Sequence, residues 1–474
     1  IIDPYSLDEY LNTGGFAGLK KALGMNPGKV IEKVTRTKIR GRGGGGFPTG
    51  MKWSLIACEK NPEKYVICNF DEGDPGAFMN RTVVESDPFR LIEGLIIAGY
   101  AIGSHKAFIY GRAEYPLAIR TLENAITLAH KTGLLGRNIL NTSFSFSIEI
   151  SKGAGAYVCG EETAMMESIE GKRGMPRTKP PYPTQYGLWG CPTVINNVST
   201  LCHVATMLQI GEKEYLKYGT AKSSGTKEIC LTGKIKRPGV IEIPFGTNVK
   251  TIIEEIGGGS NLPIKAIQTG GPSGGCIPFN ELINLPLDYE EIFAKGSIIG
   301  SGGMVVMDEQ TCMVDVAKYF LKFTQSESCG KCTPCREGTK RMLEILEKIT
   351  AGKASMQDLN NLEDLCQMVS EASLCGLGQA APNPVVTTMR YFKNEYLAHI
   401  QQKNCPANVC KIAQTAKSYN ITADCIGCGE CKKNCPVSAI IGQPGKKHQI
   451  VQKNCIHCGT CFRTCRFKAI TLET

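Results

Sequence analysis

At 474 residues, 42% hydrophobic and 21% charged, the chain is too long for one core and too apolar for disorder, so three or four globular domains are expected. Its formal charge of +10 comes without a compact basic helix or interleaved aromatic and basic residues, which sets aside a nucleic-acid reader. Membrane insertion is set aside too, because the most apolar run, residues 91–103, is broken by Glu93 and falls short of the roughly eighteen residues a span needs.

The start of the chain shows no basic segment followed by an apolar run, and many cysteines stand in ligand spacings. Both point to a reducing, cytoplasmic compartment. The chain opens on Ile1 without an initiator methionine, from which a missing N-terminal piece is expected.

In chain order, the first unusual stretch is residues 39–53, IRGRGGGGFPTGMKW, which crowds glycines around Phe47. Alone it fits a surface turn as well as a phosphate cradle. The spacing is not quite that of a G-x-G-x-x-G opening a helix and no long strand precedes it, so an ordinary Rossmann unit is disfavoured. Backbone N–H groups of such a loop can still hold a phosphate, with Lys52 adding charge. Three more stretches follow: 66–78 (VICNFDEGDPGAF), 153–164 (GAGAYVCGEETA) and 194–200 (VINNVST). Singly, each reads as a turn, a cap or glycine packing.

Residues 226–306 carry short strand-like runs and the loop 270–275, GGPSGG, which reads as a turn facing the preceding domain. No chemistry is assigned to this module. Beyond it comes the triplet Cys329, Cys332, Cys335. Forty residues later stands Cys375, and between them Met342, Leu343, Ile345, Leu346, Ile349, Leu359, Leu362 and Leu365 mark amphipathic helices. A helical bundle returns Cys375 to the triplet as a fourth ligand of a [4Fe–4S] cluster; a thiolate zinc site is the alternative.

Cys366, His399, Cys405 and Cys410 lie outside every cluster run. Three thiolates and one imidazole complete a tetrahedral zinc shell, while a core thiol at Cys366 and a solvated His399 are the bland alternative. Cys58, Cys68, Cys159, Cys191, Cys202, Cys230, Cys276 and Cys312 have no ligand spacing and read as buried thiols.

The C-terminal end repeats C-x2-C-x2-C-x3-C twice, the spacing of a bacterial two-cluster ferredoxin, in which the fourth cysteine of each run serves the other cluster. One cluster is therefore expected on Cys425, Cys428, Cys431 and Cys465, the other on Cys455, Cys458, Cys461 and Cys435. The second run ends Cys465-Arg466 rather than Cys-Pro. Residues 401–474 hold eleven Lys and Arg against three Asp and Glu. A loaded cluster with four thiolates carries roughly −2, which offsets much of that charge, and the remaining positive face suits an acidic redox partner.

The four N-terminal stretches, in this order and followed by the cysteine triplet, resemble the flavin-bearing, NADH-oxidising subunit of respiratory complex I over roughly residues 1–400. The ferredoxin-like extension makes the whole chain similar to the beta subunit of electron-bifurcating hydrogenases and of related NAD(P)-dependent hydrogenase and formate dehydrogenase complexes. A subunit of a sodium-pumping membrane ferredoxin:NAD oxidoreductase and a flavin-free electron relay are poorer matches, given the cysteine triplet and the intact glycine loop.

The resemblance implies an α/β and α+β multidomain chain. It comprises an FMN- and NAD(H)-binding domain (1–220), a ubiquitin-like β-grasp module (226–306), a helical bundle with one [4Fe–4S] cluster (312–400), a hinge (401–417) and a two-cluster ferredoxin domain (418–474). It implies FMN contacts from Gly41, Arg42, Gly43, Gly44, Lys52, Asn69, Asp71, Gly160, Glu161, Asn196, Asn197 and Thr200. Glu72, Tyr157 and Glu162 fall beside the nicotinamide, with Glu72 and Glu162 as the catalytic candidates, and Phe47, Lys179 and Tyr182 fall around the adenosine. The family often has Glu where this chain has Asp74 and an aromatic where it has Leu55, so Asp74 bears on the choice between NAD and NADP. Implied partners are a hydrogenase-type or formate dehydrogenase-type catalytic subunit, a small thioredoxin-like [2Fe–2S] subunit, and ferredoxin.

Overall fold

The computed structural model describes residues 2–412 and 418–473. Residues 413–417, part of the expected hinge, lie outside the described residues.

The N-terminal part is built on a four-stranded parallel sheet of β1 (Tyr65–Phe70), β2 (Lys106–Arg112), β3 (Ser147–Gly153) and β4 (Thr193–Asn197), in the order β3-β2-β1-β4. As befits a parallel strand covered on both faces, β1 is nearly all apolar, and its alternate side chains feed two cores. Val66, Cys68 and Phe70 pack with the helices 88–102 and 198–210, whereas Ile67 joins Phe108, Tyr110, Ile195, Cys335 and Leu377 on the other face. That second core is shared with the cysteine triplet.

The run broken by Glu93 is a buried helix, Pro88–Ile102. The Glu93 carboxylate accepts from the Tyr10 hydroxyl at 2.6 Å and from the backbone N–H groups of Phe16 and Leu19 at 3.0 and 2.9 Å. Hydrogen bonds to a charged group contribute about 1.5–3 kcal/mol each, enough to hold an otherwise costly buried acid and to clamp the first helices onto the sheet. Among the described residues no helix is long and apolar enough to cross a membrane.

A five-stranded mixed sheet follows, with β5 (Thr226–Gly233), β6 (Gly239–Pro244), β7 (Ile264–Thr269), β8 (Gly275–Pro278) and β9 (Gly303–Asp308) in the order β6-β5-β9-β7-β8. Strands β5 and β9 run parallel at its centre, and the other pairs are antiparallel. Four helices, Met313–Ser326, Thr339–Thr350, Met356–Ala372 and Asn383–Gln401, then pack around Leu321, Met342, Leu346, Leu362, Val369, Val385 and Tyr396. The third starts with a capping box between Ser355 and Asp358, the local signal that ends the preceding loop.

The C-terminal unit has two small antiparallel ladders, β10 (Ser418–Ile421) with β13 (Ile470–Glu473) and β11 (Ile440–Ile441) with β12 (Gln449–Ile450). Tyr419, Ile421, Ile440, Ile450 and Ile470 surround Cys431 and Cys461. Two of the thiols expected to be buried are not. Cys58 caps the C-terminus of a surface helix and is exposed, and Cys191 sits half-exposed beside Glu63.

Candidate functional site

A cavity of about 240 Å³, the main one at the sheet, opens at the carboxyl ends of the parallel strands, where open α/β sheets place their ligands. Three strand ends supply it. After β1 come Asp71, Glu72, Gly73 and Asp74; after β3 come Tyr157, Val158, Gly160 and Glu161; β4 ends in Asn197. Asn69 and Asn197 are register partners on adjacent strands, so both reach the same wall.

The glycine loop precedes β1 and folds back on itself through Gly41 N–H donating to Phe47 O at 2.9 Å. A Cβ on Gly43 would stand 2.9 Å from the Asn197 Cβ, and neither atom can rotate away. Gly44 takes φ +144° with open space where a side chain would be, leaving a bare backbone cradle. We expect Gly43→Ala to shift this loop off Asn197 and lower the flavin absorbance per purified chain severalfold, with near-normal iron.

Asp71 carries the best evidence for a ligand. Its side chain lines the cavity and is 2% exposed, Arg112 Nε stays 3.9 Å away, and the buried Oδ2 has no hydrogen-bond partner. Burial pushes its carboxyl up to about 7 against the pull of Arg112. A buried acceptor left open in this way suits the hydroxyl and imide donors of a flavin.

Glu72 also lines the cavity, but its two oxygens accept from Asn80 and Arg81 N–H at 2.9 and 3.0 Å, capping the helix Met79–Ser86. Burial pushes it up to about 6, opposed by those two donors. Glu162 is clamped between Lys52 and Lys179 outside the cavity lining, and the two ammonium groups hold its carboxyl below the usual range despite burial. Glu161 caps its helix through Thr163 and Ala164 N–H and takes Lys179 Nζ at 2.8 Å.

The other expected contacts flank the cavity. Asn196 accepts from Trp53 Nε1 at 2.8 Å, and Thr200 accepts from Arg42 N–H at 2.8 Å. The Arg42 guanidinium points away, donating to the carbonyls of Arg40, Ser224 and Thr226, so only its backbone belongs to the glycine loop's ligand face. Phe47 and Tyr182 are 48% and 56% exposed, large rings left open. Asn80, Ser301, Gly376 and Leu377 also line the cavity, and no motif in the sequence marks them. They come from three separate segments and share no local signal, whereas Ser273, also in the lining, belongs to the 270–275 loop expected to face this domain.

Each cysteine quartet encloses its own hollow. Cys329, Cys332, Cys335 and Cys375 line one with Val158 and Leu377; Cys425, Cys428, Cys431 and Cys465 line a second; Cys435, Cys455, Cys458 and Cys461 line a third. The exchanged fourth cysteines are thus brought across as the tandem spacing predicts. Backbone N–H groups of Leu374, Ala439 and His457 point at Cys332, Cys435 and Cys455 sulfurs at 3.5, 3.2 and 3.4 Å, the donors that thiolate ligands attract. The donor set fits iron–sulfur clusters.

A further group differs from the expected one. Cys312, His399, Cys405 and Cys410 place their ligand atoms within 4.8 Å of one another, and all are buried. Cys312 replaces Cys366, which lies on the helix Met356–Ala372 and lines a groove with Glu363, Gln367 and Ser370. His399 Nδ1–H donates to Glu395 O at 2.7 Å, so Nε2 faces the thiols, 3.3 Å from Cys410 Sγ and 3.7 Å from Cys312 Sγ.

A parallel sheet with a bare-backbone cradle and an open buried acid, one wall away from a four-thiol hollow, defines a flavin and iron–sulfur electron-transfer protein. Known proteins agree with this. Residues 34–206 match the Nuo51 FMN-binding domain, 315–399 the NADH-ubiquinone oxidoreductase-F iron-sulfur binding region, and 424–469 a 4Fe-4S dicluster domain. The NADP-reducing hydrogenase subunit HndC of Solidesulfovibrio fructosivorans is 51% identical, covering 91% of this chain and 88% of its own length. The F 2 subunit of the NADH-quinone oxidoreductase of Rhizobium meliloti is 45% identical over 85% of this chain and 96% of the relative.

Among solved structures, an NAD+-reducing [NiFe]-hydrogenase in the H2-reduced state superposes with TM-score 0.74 at 38% identity. That match covers 80% of this chain, which spans 63% of the hydrogenase chain. The chain belongs to the family of the complex I flavin subunit, as an NAD(P)-linked, FMN- and iron–sulfur-containing oxidoreductase component of a kind shared by complex I and hydrogenases.

Proposed function

We propose that the chain is the diaphorase subunit of a cytoplasmic electron-bifurcating hydrogenase, exchanging hydride with NAD(H) and passing electrons both to ferredoxin and to a hydrogenase-type catalytic partner. One observation carries the electron path: Val158 and Leu377 each line both the main cavity and the Cys329–Cys375 hollow, so a flavin site and a cluster site are separated there by single shared side chains. The ferredoxin-like end adds two further cluster sites and a basic surface for an acidic partner. The hydrogenase names of two relatives support the partner, and a formate dehydrogenase-type partner is the second reading because no catalytic centre of either kind is in this sequence. A small thioredoxin-like [2Fe–2S] subunit completes the expected complex.

FMN supplies the conversion of a hydride into single electrons, and the three [4Fe–4S] clusters supply their conduction. The chain's own residues bind and orient. Gly43, Asn69, Asp71 and Asn197 hold the flavin; Glu72 and Tyr157 border the nicotinamide; Glu162, between its two lysines, sets the charge near it. Phe47 and Tyr182 offer open ring faces for adenine, beside Lys179. Asp74, which accepts from the Tyr157 hydroxyl at 2.8 Å, belongs with it at the nicotinamide end rather than at the adenosine ribose that the sequence reading gave it. Zinc sits on Cys312, His399, Cys405 and Cys410, pinning the start of the 401–417 segment to the bundle with no redox role of its own.

Metal and flavin analysis of the anaerobically purified chain tests this. One FMN, one zinc and ~12 iron atoms are expected from three four-iron sets. Iron near ~4 or ~8 would remove one or two of the cluster assignments.

A further inference from the structure

Ser328 stands immediately before the first cysteine of the triplet, and its hydroxyl oxygen lies 3.2 Å from Cys335 Sγ. The Gly330 N–H donates to the same oxygen at 3.3 Å. Cys335 is a thiolate whenever it holds iron and then has no proton to give, so the hydroxyl donates to the sulfur. The sulfur belongs to the core that Cys335 shares with Val158 and Leu377, where it is largely shielded from water and a hydrogen bond to it counts for more.

The loop around Ser328 is held at three points. Just before it, the Glu327 carboxylate accepts from the backbone N–H of Tyr157, a residue of the main cavity's lining, at 2.9 Å. Just after it, the Arg336 guanidinium donates to Gly330 O, and the Lys331 ammonium donates to Pro176 O at 2.6 Å. The hydroxyl is therefore aimed before any electron arrives. The ferredoxin-like unit offers a contrast: Thr460 Oγ1 lies 3.3 Å from Cys458 Sγ, but that cysteine is exposed, and water can replace the bond.

We propose that Ser328 is a positioning residue that, through Cys335, raises the reduction potential of the cluster beside the flavin site. One electron added to a four-iron cluster with four thiolates takes its charge from roughly −2 to roughly −3, and part of the new charge falls on the sulfurs. A donor aimed at one of those sulfurs stabilises the reduced form more than the oxidised one. Ser328 neither bonds iron nor gives up its proton. The electron comes from the flavin that NADH has reduced, and the hydrogen bond sets how readily it is accepted. The proposal rests on the reading above that Cys329, Cys332, Cys335 and Cys375 hold a [4Fe–4S] cluster.

The test is a redox titration of the full, anaerobically purified chain followed by electron paramagnetic resonance, the signal of this cluster being the one missing from Cys335→Ala/Cys375→Ala. In Ser328→Ala its midpoint is expected to fall by about 59 mV, an about tenfold change in the reduced-to-oxidised ratio for one electron, while the other clusters keep theirs. Ser328→Thr, which keeps the hydroxyl, should restore the wild-type midpoint. An unchanged midpoint in loaded Ser328→Ala, or an equal shift of every cluster, overturns the proposal and leaves the cluster reading standing. If the double cysteine variant lacks no signal, the cluster reading falls and the proposal with it. Should Ser328→Ala fail to load this cluster, resonance Raman of the wild-type chain decides. Transfer to deuterated buffer should shift an iron–thiolate stretching band that the double cysteine variant lacks, and an unmoved band overturns the proposal.

Discussion

The double variant Cys335→Ala/Cys375→Ala should lose the cluster nearest the flavin, with iron falling from ~12 to ~8 atoms per chain while FMN stays bound. Two ligands are removed from one hollow, so neither a four-iron nor a three-iron form has enough thiolates to assemble. Cys335 is buried in the core shared with Val158 and Leu377, whereas the glycine loop and Asp71 lie on the other side of that wall. NADH-driven reduction of a dye that takes electrons at the flavin should therefore persist, and NADH-linked exchange with ferredoxin should fall to background. Iron that stays near ~12, or ferredoxin exchange that survives the loss, would place the electron path elsewhere.

What the sequence discloses here follows the range over which each chemistry is specified. The ferredoxin-like quartets are legible because all eight thiols fall within two short runs, and the structure gathers them into the two expected hollows. The Cys375 return needs one more step, the amphipathic spacing of two helices. Asn69 and Asn197 stand 128 positions apart, and only the parallel register of β1 and β4 makes them neighbours. The family resemblance carries them; spacing alone does not.

The residues that sequence reasoning misses have the same cause. Ser301 sits in an ordinary glycine-rich turn and reaches the cavity only because the five-stranded sheet packs against the flavin domain. Arg42 shows the converse. The resemblance implies a flavin contact there, and its guanidinium donates to the carbonyls of residues 40, 224 and 226. Glu72 is similarly drawn into capping the helix that starts at Met79, so it borders the cavity as a held carboxylate.

For the proposed zinc shell the sequence reading takes Cys366 as the fourth thiol, where the structure brings Cys312 to the group. Cys366 is the spare cysteine nearer in sequence to His399, whereas Cys312 stands 87 residues before it. Cys312 precedes the helix Met313–Ser326, and that helix packs along Asn383–Gln401, whose last turn carries His399. Glu395 fixes the joint from both sides: its carboxylate accepts from Met313 N–H at 2.9 Å, and its carbonyl takes His399 Nδ1–H. Cys410 Sγ and Cys312 Sγ then lie 3.5 Å apart. With Cys405, three buried thiols and an imidazole lie within 4.8 Å of one another, the donor set of the zinc site proposed above. Cys312→Ser is expected to abolish the single bound zinc and to make the chain after residue 400 several times more sensitive to protease, while iron and flavin stay near wild type. Cys366→Ser should keep the zinc and the wild-type cleavage pattern. Zinc retained in Cys312→Ser, or lost in Cys366→Ser, would return the fourth ligand to Cys366 and break the link drawn here between the start of the bundle and the root of the ferredoxin-like unit.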